Sequence, residues 1–139
     1  MHIPARLRQR VIQRAHDRCE YCGISQTAQE AAFHIDHIIP QTAAGKTILE
    51  NLALACVSCS LRKGARLRAA DPKTGTEVPL FNPRVDAWRL HFRWNGIELV
   101  GISPVGRATI AALSLNRARA QRIRAQEIFH GRHPPPNHL

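Results

Sequence analysis

The 139-residue chain predicts an α+β fold: two short strands and a helix held between two cysteine pairs, followed by a β-hairpin and two helices. Three observations carry that prediction. Cys19/Cys22 and Cys56/Cys59 each stand at i, i+3. A tight knuckle turns two thiolates so spaced toward one cation, and two such pairs supply the four sulfurs of a closed tetrahedral zinc site. Between the pairs, residues 31–39 have the β-branched character of a strand, and Pro40 ends it. Beyond them, Trp88, Leu90, Phe92 and Trp94 alternate ahead of Asn95-Gly96, which is hairpin grammar.

Each element has its own signal. Pro4 suits the first turn of a helix whose apolar stripe is Leu7, Val11 and Ala15, with Arg6, Arg10 and Arg14 as a second, basic stripe. That basic stripe is either a solvated face or a phosphate-contacting one. Residues 23–30 read as a loop, residues 42–46 as a polar turn, and residues 47–49 as a short return strand. Asn51 has the position of a helix N-cap, and a helix from about Val57 should stop at Gly64, a natural residue for the left-handed turn after a helix.

Further along, residues 71–75 predict a turn and residues 78–81 a strand, while Asn95-Gly96 predicts a type I′ turn returning through residues 97–100. Ser103-Pro104 is the N-cap and first turn of a helix through about Leu113, and Asn116 the cap of another to about Phe129. The aromatic stripe reads as core. The predicted organisation is a core over residues 1–66, an extension over 67–130, and a disordered proline-rich tail over 131–139.

A formal net charge of +10, with an isoelectric point near 11.0, implies a polyanionic partner, and nucleic acid is the commonest one for a basic domain. Arg6, Arg10, Arg14 and Lys63 are the expected contacts, joined by Arg117, Arg119, Arg122 and Arg124 near the C-terminus. No run approaches membrane-spanning length, and no secretory apolar segment opens the chain. A cytoplasmic, reducing location is therefore expected, which favours structural zinc over the alternative of two disulfides.

Asp36-His37 places a hard oxygen ligand beside a group that titrates near neutral pH, the pairing that metal-assisted phosphodiester hydrolysis needs. In a regular strand these two side chains point to opposite faces, whereas His34 and Asp36 share one. His34 is accordingly a second candidate, for the metal or for phosphate.

Cys19-Glu20-Tyr21-Cys22, His34-Ile35-Asp36-His37-Ile38-Ile39-Pro40, Asn51 through Cys56, and Cys59 through Lys63-Gly64 resemble the zinc-bearing HNH endonucleases. Pro79 through Arg84, Trp88, His91-Phe92, Val100-Gly101-Ile102 and Gly106 through Thr109 resemble a C-terminal extension carried by one group of bacterial HNH proteins, so the likeness spans roughly residues 5–117. It implies a ββα-metal fold, a divalent cation such as Mg²⁺ beside the structural zinc, and cleavage or nicking of DNA. It further implies His37 as general base, Asp36 as metal ligand, and Asn51 as the group orienting the loop that carries the base. Ser60 departs from the pattern, because the family usually has His or Asn there as the second ligand of the catalytic cation. The competing expectation is thus a degenerate member that binds nucleic acid without cutting it.

Overall fold

The computed structural model describes residues 2–136. Helix α1, Ala5–Arg14, begins directly after Pro4 and packs against the core through Val11, with Leu7 alongside. It has no acid in its first turn and no side-chain cap, so packing of its apolar face holds it. His16 and Asp17 then adopt positive φ of 53° and 58°, turning the chain into the first knuckle. Within it Cys19 N–H donates to Ile24 O and Gly23 N–H to Cys19 O, both at 2.9 Å, with Gly23 at φ +81°.

The central sheet has two antiparallel strands, β1 (His34–His37) and β2 (Leu52–Ala55), in the register His34↔Ala55 to His37↔Leu52. The predicted return strand at residues 47–49 is therefore displaced. Residues 49–51 form a 3₁₀ turn, and the segment expected to follow a helix cap at Asn51 is itself the strand. All four β2 residues are buried, leaving no polar–apolar alternation from which to read it. Helix α2, Val57–Lys63, starts instead at Cys56, whose sulfur accepts from Cys59 N–H at 3.4 Å, and ends at Gly64 with φ +52°.

In the second half, β3 (Arg68–Ala70) and β4 (Glu77–Pro79) form a hairpin around Asp71. Strands β5 (Phe92–Asn95) and β6 (Glu98–Gly101) form another. Asn95 pairs with Glu98, so the two loop residues are Gly96 and Ile97, and only Gly96 has positive φ, +63°. That is the pattern of a type II′ turn, one residue later than the predicted type I′. Residues 88–90 form a 3₁₀ turn, which leaves Leu90 exposed while Phe92 is buried against Phe81 and Trp88.

Helix α3, Pro104–Leu113, is capped by Ser103, whose hydroxyl accepts from Gly106 N–H. Helix α4, Ala118–Phe129, has Arg117 at its N-cap with no side-chain bond. Asn116, the predicted cap, is spent elsewhere: its amide accepts from Leu99 N–H and donates to Leu99 O, tying α4 to β6. One hydrophobic core joins Val11, Leu52, Leu54, Phe92, Leu99 and Leu113, so residues on both sides of position 66 share it.

Part of the tail expected to be disordered makes contacts with the rest of the chain. Arg132 pairs with Glu127, and His133 stacks edge-on against Trp94 at 4.7 Å while donating from Nε2 to Gly96 O. Residues 137–139 lie outside the described residues. No helix among the described residues is long and apolar enough to cross a membrane.

Candidate metal centre and active-site groove

The sulfurs of Cys19, Cys22, Cys56 and Cys59 lie within 4.8 Å of one another, all buried. Tetrahedral zinc with Zn–S bonds of about 2.3 Å sets its sulfurs roughly 3.8 Å apart. Cys22 Sγ and Cys56 Sγ are 3.7 Å apart, so the donor set fits that ion in number, chemistry and spacing. Backbone N–H groups of Cys22 and Cys59 donate to the first sulfur of each pair at 3.4 Å. Hydrogen bonds among the crowded sulfurs pull the Cys56 and Cys22 thiols down and push Cys59 up, while burial pushes Cys19 up.

Two arginines of the C-terminal region brace this centre from outside. Arg117 approaches Cys56 Sγ at 3.7 Å and Cys59 Sγ at 4.0 Å. Arg124 is 2% exposed and donates to Cys22 O, Leu115 O and Ile97 O, with its guanidinium 4.9 Å from the Trp94 ring centre. Both were expected on the nucleic-acid surface. Their guanidiniums are instead turned toward carbonyls and sulfurs around the knuckle, adding to the backbone N–H donors there. Arg119 and Arg122 remain exposed.

A second site opens as a groove over β1, lined by His34, Asp36, His37, Gln41 and Ser60 among others. Asp36 is buried, with Lys63 Nζ 3.1 Å from its Oδ2 and the Tyr21 hydroxyl donating to the same oxygen at 3.3 Å. Burial pushes the Asp36 carboxyl up, and Lys63 and Tyr21 pull against it. Tyr21 is pushed well above its ordinary range by burial and by the Asp36 charge, so it stays a donor. His34 Nδ1 and the Ser60 hydroxyl share a 2.9 Å hydrogen bond, as do His37 Nε2 and the Thr47 hydroxyl.

Asn51 is buried and organises the loop after β1. Its Oδ1 accepts from Ile39 N–H, and its Nδ2 donates to Ile39 O and Lys46 O, all within 3.0 Å. Gly45 makes this closure possible, since a Cβ there would lie 1.7 Å from Ile39 O.

Lys63, expected to contact nucleic acid, is only 2% exposed and gives its ammonium to Asp36, His37 O and Ile38 O. An ammonium carries three donors, and three acceptors at the end of β1 take them. Arg14 is likewise turned inward, bonding Leu49 O at 2.8 Å and Leu52 O at 2.6 Å. Arg6 and Arg10 keep the exposed stripe. Neither Thr47 nor Tyr21 stood out beforehand, because each meets its partner only through the fold.

The knuckles, the strand between them and the groove beneath form one unit. Residues 19–66 match the family model for HNH endonuclease. That HNH segment covers roughly a third of the chain and contains both cysteine pairs, His34, Asp36, His37, Asn51 and Lys63. The match suggests a nuclease-family function, and the cysteine cluster within it could hold a metal ion. No match was found among curated proteins or among solved structures.

Proposed function

We propose that the protein is a metal-dependent endonuclease that hydrolyses DNA phosphodiester bonds, with His37 as general base. The observation that carries this reading is the shared groove. His37 lies half-buried at its edge with Nε2 held by the Thr47 hydroxyl, beside Asp36 and His34. An imidazole so oriented can take the proton of an attacking water once a phosphate sits in the groove. Asn51 positions it indirectly, by fixing the backbone of the loop after β1.

For the cation, Asp36 Oδ1, His34 and the Ser60 hydroxyl are the donors we assign. This set of one carboxylate oxygen, one imidazole and one hydroxyl suits a weakly held divalent ion such as Mg²⁺ or Mn²⁺. When bound, such a cation neutralises the phosphate and stabilises the leaving oxygen. Lys63 and Tyr21 hold Asp36 in place through its other oxygen.

The same contacts favour a second reading, a nucleic-acid-binding protein without cleavage, because Asp36 is committed to Lys63 and Ser60 to His34. Supercoiled-plasmid nicking across Mg²⁺, Mn²⁺, Ni²⁺ and Zn²⁺ separates the two. Nicking by the wild type, its loss in His37→Ala, and a lower metal requirement in Ser60→Asn are expected. Plasmid that is bound yet uncut throughout the series establishes the binding protein instead.

A further inference from the structure

We propose that Arg8 is the groove's phosphate anchor, a role that rests on the nuclease reading above. Arg6, Arg10 and Arg14 follow one another at i+4 around α1, and Arg8 falls off that stripe. It lies instead on the lining of the groove that holds His34, Asp36, His37 and Ser60. Among the residues lining that groove it is the one arginine, and no lysine joins it.

The other cations near the site are already used. Lys63 is buried under β1 on three acceptors, and Arg14 is bonded to the carbonyls of Leu49 and Leu52. Arg8 is exposed, and among the described residues no carboxylate lies within ion-pair distance of it. The one carboxylate lining the groove is Asp36, whose charge Lys63 balances. An unpaired guanidinium facing an otherwise balanced groove is suited to an anion, and its planar fork matches two phosphate oxygens. The ligand chemistry is therefore a phosphodiester, set by Arg8 against β1 so that its phosphorus faces His37.

Thymidine 3′,5′-bisphosphate, too small to span the outer face of α1, is the probe. Its titration into the zinc-loaded protein is followed by the NMR signals of the His34 and His37 rings and the Arg8 Nε–H. Binding should move all three signals, weaken by about tenfold in Arg8→Ala, and recover in part in Arg8→Lys. Arg93→Ala, which removes an equal charge from the β5–β6 hairpin, should bind as the wild type does. Wild-type affinity in Arg8→Ala, or an equal loss in Arg93→Ala, overturns the assignment. Should the wild type cut no plasmid while Arg8-dependent docking persists, the nuclease reading falls and the phosphate site stands.

Discussion

Lys63 shows how much a single residue organises here. Its ammonium is nearly inaccessible, and it binds the carboxylate of Asp36 and the carbonyls of the next two residues, the stretch where a regular strand would separate Asp36 from His37. Removing one member of a buried ion pair leaves its partner uncompensated. Lys63→Met should therefore destabilise the fold by about 3 kcal/mol, measured by urea unfolding, and adding Asp36→Asn should recover part of that. If the single variant is as stable as the wild type, the ion pair does not hold the strand end. Gly45 is a second such position. Gly45→Ala meets Ile39 O, so it should disturb the Asn51-bonded loop, visible as lost hydrogen-exchange protection at Ile39 N–H.

Among the elements, the two knuckles and the β3–β4 hairpin depend on different physics. The knuckles place four thiolates around one point, and binding free energies on the order of 10 kcal/mol are typical for structural zinc. That is comparable with the whole stability of a small domain, about 5–15 kcal/mol. Stripping zinc with a strong chelator, or replacing Cys56 by Ser, should abolish the cooperative thermal transition in circular dichroism. A sharp transition in metal-free protein contradicts this. In the hairpin, Asp71 is fully buried and accepts from Arg107 Nε and Nη2, both at 2.9 Å, and from the Thr74 hydroxyl.

These bonds, led by Arg107, hold the Asp71 carboxyl well below its ordinary range. An unfolded aspartate titrates near ~3.9, so the contribution is fully present above that pH and is lost as pH falls toward the folded value. Asp71→Asn should thus be less stable than the wild type at pH 7, with the gap closing toward pH 2. Urea midpoints at pH 7, 4 and 2.5 check it, and a constant gap rules the ion pair out as the cause.

At the scale of the whole molecule, the charge of +10 overstates what the proposed DNA substrate can meet. Arg14, Lys63, Arg84, Arg107, Arg117 and Arg124 are engaged by carbonyls, carboxylates or sulfurs of the protein itself. Arg6, Arg8, Arg10, Arg119 and Arg122 are exposed. Binding should weaken with salt, and Arg6→Glu with Arg10→Glu should flatten the slope of log K against log salt by roughly two. Arg124→Met should lower Tm rather than change that slope. An unchanged slope after the double reversal shows that α1 does not face the DNA.

Some of this protein was determined by sequence alone, because the interactions responsible are local. Ligand pairs three residues apart, Ser103 before Pro104, and glycine at positions 64 and 96 are set by backbone geometry over a few residues, and their placement could be read directly. The zinc-ready cluster followed from that spacing, and the resemblance of the motifs around it to the HNH endonucleases agrees with the family match over residues 19–66. Tertiary structure decided which of several satisfiable roles each long polar side chain takes. Asn116 bonds β6 rather than capping α4, and Lys63, Arg117 and Arg124 turn inward rather than toward solvent. Residues 52–55 became a strand because both their faces are covered by distant parts of the chain. An arginine's partner lies as far as 102 positions away, at Cys22 for Arg124, and no local pattern encodes such a contact. Free energy selects it only after the core has brought the two ends of the chain together.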